Sequence, residues 1–547
     1  MSGTIIAEAP ARLLIFSQQQ MKKPESTIQE NARQGSLTAS VSATPYTPEL
    51  DTGQPVAISA AWRMVRKAIS FPVLMAVLLA AVALIGVHDR LPDPDTWWHI
   101  AVGERILQTH TWPTSDPYSF TAPGAHWIAY EWLGEVAMAF AARADGLSGL
   151  AALLFGLVAA ITVLLYSYFY VRCGNAKAAC IATGILLPIA AVVFTLRPQL
   201  FGYVFLLITL ICLERFRQGH SGALWFLPPL FLVWVNTHGT FVFGLAAIGL
   251  YYVSGLFKFH LGGLSAEPWT GKQRLQLLLA FLFSTLALLI TPYGSQLAAY
   301  PVQMATSQPI NIANIQEWQP LSFGLGVGKY LLALVLIMFL VHVLLPMKYR
   351  LHEMALLLFG IYAACVHIRF ILIFVMFFGP IIAWILARWA PGYNREKDQP
   401  LLNLAIITLV AVAVVRYLPS KTDLQKLVNK DYPVGAVEYL RAHPRPTGMF
   451  NAYGFGGYLI WQLGSQQKVF VDGRADLYEY SGVFQDYLHI ANVNDDALAL
   501  LGKYKIESCL IGRKDALATL LSASPDWKRA YSDDVSMLFV RSNGANP

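Results

Sequence analysis

The sequence predicts a mainly α-helical, polytopic membrane protein with about eleven transmembrane helices, followed by a small C-terminal α/β extracytoplasmic domain. The first observation is composition: the 547 residues are 56% hydrophobic and 13% charged, whereas a soluble chain carries about 25% charged residues. The second is the recurrence of apolar runs between residues 68 and 415. The third is the return of ordinary charge after residue 416. Together these observations exclude a soluble α/β enzyme, a disordered scaffold and a collagen-like fibre.

The distribution of cations and cysteines excludes further classes. The net charge is +7, but the basic residues lie between apolar runs, where they orient helices, and form no patch with interleaved aromatics. We therefore expect a lipid bilayer as partner and no nucleic acid. The five cysteines include no C-x-x-C pair, which argues against a disulfide framework and a zinc site.

The chain divides into three predicted parts. Residues 1–62 are rich in Ser, Thr, Gln and Ala, and we expect a flexible cytoplasmic tail. Residues 63–416 form the predicted transmembrane domain, and residues 417–547 the extracytoplasmic α/β domain. Arg63, Arg66 and Lys67 precede the first run, and the positive-inside rule keeps them in the cytoplasm.

Each predicted span is an apolar run flanked by turn residues or charges. The runs lie near residues 68–87, 147–171, 178–194, 200–213, 224–235, 241–257, 275–291, 330–346, 354–366, 371–387 and 401–415. Lys and Arg cluster in the connections that this count places inside, which indicates a multi-pass membrane protein with its N-terminus in the cytoplasm and its C-terminal domain outside. Several runs are shorter than the ~20 residues of a full span, so we expect broken helices that line a cavity.

Two predicted outer segments are long, residues 88–146 and 292–329. In the first, His99–Leu107 and Glu131–Ala142 have the pattern of interfacial amphipathic helices, with Trp residues at headgroup level. In the C-terminal part, the predicted strands are Gly448–Asn451, Lys468–Val471, Ser508–Ile511 and Val535–Val540, and the predicted helices are Val434–Ala442, Ala497–Tyr504 and Asp515–Leu521.

The strongest chemical signal is an acidic motif directly after the first span. Asp93 and Asp95 alternate with prolines and precede Trp98 and His99. Two such carboxylates fit a divalent cation such as Mg or Mn, or a general base for a sugar hydroxyl. The alternative is ordinary helix initiation, because Asp-Pro favours turns and Asp is a common N-cap. Trp98 and His99 favour a cleft that binds carbohydrate.

Further candidates lie at the predicted outer ends of other spans. Asn236 and His238 end a short run, where polar side chains are costly and function is the default; a helix C-cap at Gly239 is the alternative. Arg197 and Arg369 lie on the side where arginine is disfavoured. A guanidinium binds phosphate in a bidentate manner, and snorkelling to lipid headgroups is the alternative.

The C-terminal part contributes a weaker signal. A glycine-rich stretch ends at Tyr458, and Asp472 and Arg474 flank Gly473. We expect Asp472 and Arg474 to pair across a tight turn, with glycan contact through these two residues and Tyr458 as the alternative.

Taken together, these features resemble the GT-C superfamily of membrane glycosyltransferases, in which an acidic motif follows the first span and a soluble outer domain often closes the chain. Asp93 and Asp95 match that motif, and segments 88–146 and 292–329 match the outer loops. The chain also resembles uncharacterised bacterial multispan membrane proteins that share the Asp-Pro-Asp-Thr-Trp-Trp-His and Asn-Thr-His-Gly stretches. The Trp-Trp-Asp triplet of oligosaccharyltransferases is missing, which argues against protein N-glycosylation.

The resemblance implies a hexosyltransferase that moves a sugar from a polyprenyl-phosphate carrier to a glycan, lipid or protein acceptor. It implies Asp95 as the base, with Asp93 supporting it or sharing a metal ion. The implied donor-phosphate ligands are Arg197, His238 and Arg369, and Glu131 and Glu317 are weaker candidates. The alternatives are a lipid-linked glycan flippase or other transporter, a non-catalytic scaffold for glycan assembly, and a polymer ligase.

Overall fold

The computed structural model describes residues 60–91, 93–324, 326–445 and 448–542, so the predicted tail lies almost wholly outside the described residues. The first helices are α1 (Ala60–Ala68), α2 (Phe71–Gly86), α3 (Pro94–Thr109), α4 (Trp132–Cys173), α5 (Ala176–Ala190), α6 (Gln199–Arg217), α7 (Leu227–Val235), α8 (Phe241–Ser254) and α9 (Gly271–Ala287). The next are α10 (Ser295–Ser307), α11 (Pro309–Asn314), α12 (Gly326–Leu344), α13 (Leu351–Val366), α14 (Ile371–Leu386) and α15 (Pro400–Tyr417).

Every predicted apolar run falls in one of these helices, so the chain is a polytopic helical membrane protein. Within the described residues, seven segments are long and apolar enough to cross a bilayer: Met64–Gly86, Trp132–Cys173, Ala176–Val193, Gln199–Arg217, Gly326–Leu344, Ile368–Leu386 and Pro400–Tyr417. Ser221–Val235, Phe241–Ser254 and Leu351–Val366 are shorter apolar helices. The count of about eleven full spans stays a prediction.

The start of α3 follows from the Asp-Pro sequence. Asp93 is the N-cap, and its side chain accepts the backbone N–H of Asp95 at 3.0 Å, while Pro94 occupies the first helical turn, where its missing N–H costs nothing. Helix initiation therefore accounts for Asp93 but leaves the carboxyl of Asp95 available for other contacts.

The first segment, residues 88–146, does not place its tryptophans Trp97 and Trp98 at headgroup level. Both are buried, and Trp97 packs against Tyr432, Tyr458 and Trp461. For these two residues the prediction was wrong, because Trp97 packs against a distant part of the chain and Trp98 donates to Asp95. Trp112 of the same segment is 44% exposed. The predicted helix 131–142 is the first part of α4, which is interrupted at 145–146 by non-helical backbone.

The C-terminal region, residues 417–542, mixes helices with a four-stranded sheet. Its helices are α16 (Lys421–Asp431), α17 (Val434–Ala442), α18 (Tyr453–Leu463), α19 (Ala475–Tyr480), α20 (Val483–Ala491), α21 (Ala497–Lys503) and α22 (Ala516–Ala523). Its strands are β4 (Met449–Asn451), β5 (Ser508–Gly512), β6 (Trp527–Ser532) and β7 (Ser536–Arg541), in the order β4-β5-β7-β6. The strands β1 (Phe259–Leu261), β2 (Leu264–Ala266) and β3 (Tyr349–Arg350) form a separate small sheet.

One predicted strand of this region is wrong. Residues 468–471 form no strand of the four-stranded sheet, because Val469 pairs instead with the first segment through a single parallel bridge to Ser119. The other three predicted strands correspond to β4, β5 and β7, and the three predicted helices to α17, α21 and α22.

Close helix packing joins the C-terminal region to the first segment. A Cβ on Gly457 of α18 would lie 2.6 Å from the backbone oxygen of Pro94 in α3, so the two helices approach this closely only because residue 457 has no side chain. This contact places the residues that follow β4 beside Asp95.

Candidate active site

A cavity of about 390 Å³ opens where the first segment, the 292–329 segment and the C-terminal region meet. Its charged and titratable lining residues are Asp95, Glu131, Glu317, Asp476, Arg197, Arg369, His99, His238 and His367. The predicted cleft residue Trp98 lines it as well. The fold therefore assembles most of the predicted site residues from positions up to about 270 residues apart in the chain.

Arg197 organises the acidic end of this cavity. Its Nε donates to Asp93 Oδ1 at 2.8 Å, and its Nη1 lies 3.0 Å from Asp95 Oδ2 and 2.5 Å from Glu317 Oε1. Trp98 donates from Nε1 to the other oxygen of Asp95 at 3.2 Å. Three carboxylates thus surround the single positive charge of Arg197. The guanidinium is therefore poorly suited to the predicted role in holding a phosphate.

Burial dominates the electrostatics of Asp95. Desolvation raises the pKa of Asp95 to about 7, with Arg197 opposing the rise and Asp93 and Glu317 adding to it. For Arg197, burial lowers the pKa but the attraction of Asp93, Asp95 and Glu317 outweighs it, so the pKa lies well above its ordinary value. The guanidinium therefore stays charged while Asp95 exchanges a proton near neutral pH.

The acidic pair does not fit a divalent cation in this arrangement. The cation between Asp93 and Asp95 is the Arg197 guanidinium, and Asp93 also caps α3. Among the described residues, no group of three or more His, Cys, Asp or Glu side chains is arranged to hold a metal ion. We accordingly derive no chemical step through Mg or Mn.

Glu131 lies between two imidazoles. Its Oε1 is 3.2 Å from His238 Nε2, and its Oε2 is 3.5 Å from His99 Nε2. His238 Nδ1 accepts the backbone N–H of Thr240 at 3.1 Å, so the proton of the neutral ring is on Nε2 and is donated to Glu131. The other ring nitrogen of His99, Nδ1, lies 3.1 Å from Glu135 Oε1.

These groups favour their uncharged forms. Burial raises the pKa of Glu131 to about 8, with Arg369 opposing the rise and Asp95 adding to it. Burial, assisted by Arg369, lowers the pKa of His238 to about 3, and burial also lowers the pKa of His99. At neutral pH the group formed by Glu131, His238 and His99 therefore carries little net charge.

Arg369 differs from Arg197 in having no ion-pair partner among the described side chains. Its guanidinium stacks over the Trp318 ring, 4.2 Å from the centroid, and lines the cavity. Its backbone oxygen accepts the hydroxyl of Tyr203 at 3.0 Å, which fixes the position of the residue. Of the two predicted arginines, Arg369 is the one whose charge is free for a bound anion.

Asn236 has a structural role in the described fold. Its Oδ1 accepts Trp132 Nε1 at 2.8 Å, and its Nδ2 donates to the backbone oxygens of Leu232 and Ile290 at 2.8 and 3.1 Å. These bonds tie the end of α7 to the start of α4 and the end of α9. Asn236 does not line the cavity, so the prediction of a cleft role is not supported.

The residues predicted for glycan contact are interior. Arg474 and Asp472 are fully buried and pair with each other at 2.7 Å, as the tight-turn interpretation predicted, and Tyr458 is buried against Trp97. Direct glycan contact through these three side chains is therefore not supported. Arg474 also pairs with Asp116 of the first segment at 2.7 Å.

The C-terminal region instead reaches the cavity through other residues of the two stretches in which the sequence placed its candidates. Tyr453, Gly473 and Asp476 line it, together with Tyr130 and Tyr300. Gly473 and Asp476 lie in the same short stretch as Asp472 and Arg474, but nothing local distinguishes those that face the cavity from those that face the interior. A tyrosine among 25 tyrosines is likewise no signal without tertiary structure.

No protein-family model and no curated protein matches the chain. Among solved structures, the chain is similar to ArnT from Cupriavidus metallidurans bound to undecaprenyl phosphate, at TM-score 0.47 and 15% identity over 87% of this chain and 99% of that one. Apo ArnT matches at TM-score 0.47 and 14% identity over 89% and 100% of the two chains. The apo Archaeoglobus fulgidus oligosaccharyltransferase matches at TM-score 0.41 and 12% identity over 80% and 69%.

These TM-scores lie below 0.5 and the identities at or below 15%, so the similarity assigns no family, activity or substrate to this chain. The class of polytopic helical membrane protein, which the sequence predicted, follows from the chain's own apolar helices.

Proposed function

We propose that the protein is a membrane glycosyltransferase that moves a sugar from a polyprenyl-phosphate carrier to an acceptor hydroxyl in this cavity. The observation that supports the proposal most directly is that one cavity contains both the buried Asp95 carboxyl and the Arg369 guanidinium. Burial raises the pKa of Asp95 to about 7, and Arg369 stacks on Trp318 and has no ion-pair partner among the described side chains.

The reaction assigns a task to each group. The Asp95 carboxylate accepts the proton of the acceptor hydroxyl as that oxygen bonds to the anomeric carbon. The bond between the anomeric carbon and the phosphate oxygen breaks, and the phosphate leaves with the bonding electrons. Arg369 stabilises the negative charge that develops on the phosphate. A base with a pKa near 7 suits this task because it is partly deprotonated at neutral pH yet still basic.

The neighbouring residues support these two groups. Arg197 and the indole N–H of Trp98 hold both oxygens of Asp95, so the carboxylate is fixed in orientation. Glu131 keeps its proton at neutral pH because its pKa is raised to about 8. A protonated Glu131 beside a neutral His238 adds no negative charge near the departing phosphate, whereas an ionised Glu131 would repel it.

We also propose on which side of the membrane the reaction takes place. The distribution of Lys and Arg between the apolar runs favours a cytoplasmic N-terminus and an extracytoplasmic C-terminal region. The cavity is lined by residues of the C-terminal region, and with that orientation we propose that the reaction takes place on the extracytoplasmic face of a bacterial inner membrane. The donor is then a lipid-linked sugar, and the acceptor is a glycan, a lipid or a protein.

Native mass spectrometry of the detergent-purified protein tests the proposal. The probes are undecaprenyl phosphate and its hexosyl forms, each in competition with bulk phospholipid. Arg369→Ala should lose selective binding, because it removes the phosphate ligand. Arg388→Ala is the matched control, because Arg388 also stacks on a tryptophan, 4.3 Å from the centroid of Trp384, but just beyond the far end of α14.

Asp95→Asn separates binding from chemistry. This variant should bind the lipids as the wild type does and fail to transfer the sugar. Absence of any preference over bulk phospholipid in the wild type would refute carrier-dependent transfer and favour a scaffold. Selective binding without transfer under any acceptor condition would favour a lipid-linked glycan transporter.

A further inference from the structure

One wall of the cavity is built from tyrosines and a carboxyl contributed by three separate parts of the chain. We call Tyr130, Tyr300, Tyr453 and Asp476 the tyrosine wall. The rings of Tyr130 and Tyr300 stack with centroids 3.9 Å apart and planes 18° apart. Tyr300 donates its hydroxyl hydrogen bond to Asp476 Oδ2 at 3.2 Å. The wall therefore exists only when the first segment, α10 and the C-terminal region are folded together.

The cationic charge of the cavity lies away from this wall. Arg197 and Arg369 are the arginines of the described lining, no lysine of the described chain lines the cavity, and the tyrosine wall contains neither arginine. Arg197 is already matched by its carboxylates. Arg474 interacts electrostatically with Asp476, but it does not line the cavity and is already paired with Asp472 and Asp116. A phosphate in the cavity is consequently attracted to Arg369.

Glu131 relates the two ends of the cavity. Glu131 follows Tyr130 of the tyrosine wall in the chain, its Oε1 lies 3.2 Å from His238 Nε2, and it lines the same cavity as Asp95 and Arg369. Its electrostatic interactions with Arg369, Asp95 and Asp476 agree with a position between the cationic end and the tyrosine wall. A donor whose phosphate binds at Arg369 and whose sugar points towards Asp476 would thus have its reacting bond beside Glu131 and Asp95. Because Arg369 and the tyrosine wall lie on different parts of the cavity lining, the cavity favours one orientation of a phosphate–sugar conjugate.

The tyrosine wall has the chemistry that a sugar ring requires. Burial raises the pKa of the Tyr130, Tyr300 and Tyr453 phenols well above their ordinary value, so all three remain neutral O–H groups. Aromatic rings pack against the apolar face of a sugar, and phenol and carboxyl oxygens bond to its hydroxyls. Asp476 accepts one bond from Tyr300 and has lone pairs left for others.

We infer that the tyrosine wall binds the sugar of the carrier-linked donor, with Asp476 accepting hydrogen bonds from the sugar hydroxyls. The inference rests on the proposed function and adds the residues that distinguish the sugar-loaded carrier from the carrier without a sugar. The acceptor binds elsewhere along the cavity. Tyr130, Tyr300, Tyr453 and Asp476 act as specificity residues and take no part in proton transfer.

The test compares two affinities in each protein: that for undecaprenyl phosphate and that for its hexosyl form. Asp476→Asn keeps the shape of the side chain and removes its charge, so the preference for the hexosyl form should fall roughly tenfold. Tyr300→Phe keeps the ring stack and removes the hydroxyl, so the preference should fall roughly threefold. Affinity for bare undecaprenyl phosphate should stay unchanged in both variants.

Tyr480→Phe is the matched control, because Tyr480 lies on α19 with Asp476 but is 65% exposed and lines no part of the cavity. The control should retain the wild-type preference, and thermal unfolding in detergent verifies that each variant is folded. An unchanged preference in folded Asp476→Asn and Tyr300→Phe would overturn the inference, as would an equal loss of affinity for both lipids.

Binding measurements on the wild-type protein distinguish a failure of the proposed function from a failure of the sugar-binding inference. If it binds neither lipid selectively, the proposed function fails. If it binds undecaprenyl phosphate selectively but shows no preference for the hexosyl form, carrier binding stands and the sugar-binding role of the tyrosine wall is refuted.

Discussion

Arg474 is a buried cation whose removal should destabilise the protein strongly. Its Nε and Nη2 donate to the two oxygens of Asp472 at 2.8 and 2.7 Å, and its Nη1 donates to Asp116 at 2.7 Å. The guanidinium also lies 4.8 Å from the Trp127 ring centroid and 5.1 Å from that of Tyr118. Because Asp116 belongs to the first segment, this network joins that segment to the C-terminal region beside the cavity.

The expected magnitude follows from these contacts. Arg474→Met would leave the two carboxylates of Asp472 and Asp116 without their cation, and the side chains of all three residues have 0% exposure. Breaking a buried ion pair by removing one partner costs about 3–5 kcal/mol, because the remaining charge has neither water nor a counter-ion. The free energy of unfolding should therefore fall by an amount in this range.

Equilibrium unfolding in mixed micelles, followed by tryptophan fluorescence, measures this change. Lys421→Met is the control, because the Lys421–Asp145 pair has a similar distance of 2.5 Å but 75% and 52% exposed side chains, and exposed pairs contribute little. If Arg474→Met lowers the free energy of unfolding by no more than the control does, the network does not hold the two parts of the chain together.

Two further predictions concern the cavity. The raised pKa of Glu131, about 8 against an ordinary 4.5, means that the folded state holds this proton more tightly than the unfolded state. The free energy of unfolding should therefore fall as the pH rises between these two values, from about 4.5 to about 8. Unfolding titrations should find a weaker pH dependence in Glu131→Gln, and an unchanged dependence would count against the buried proton. Gly473→Ala should lower the melting temperature and abolish sugar transfer, because its Cβ would lie 2.6 Å from Trp98 Nε1 and overlap Asp95 Oδ1. Gly454→Ala is the control and should do neither, because the space around its Cβ is open. Equal behaviour of the two variants would contradict the close approach of Gly473 to Trp98 and Asp95.

The helices were predictable because an apolar run is a local property. Each run between residues 68 and 415 forms a helix, since its residues bury or face lipid whatever lies elsewhere in the chain. The helix Val434–Ala442 was predicted with its bounds for the same reason. Residues 468–471 failed as a strand because pairing depends on a partner, and their partner lies about 350 residues away at Ser119.

The candidate site was predictable in its members but not in their roles. Asp95 was singled out by the acidic motif after the first span, His238 because a polar side chain at membrane depth is costly, and Glu131 as a weaker candidate that the resemblance implied. The cavity contains all three. Asn236 met the same criterion as His238, yet its amide bonds to Trp132 and to the backbone oxygens of Leu232 and Ile290. Whether a costly polar group serves the fold or a ligand depends on which partners fold around it, and those partners are distant in the chain.

The two arginines illustrate this division most clearly. Composition and apolar periodicity established the membrane class, and the position of Arg197 and Arg369 beside apolar runs marked both as candidates. Folding then brought carboxylates from positions 93, 95 and 317 around Arg197. Arg369 instead stacked on Trp318, and no carboxylate of the described residues pairs with it. Electrostatic attraction and desolvation act through space, so two arginines with equivalent local sequence signals acquired different chemistry.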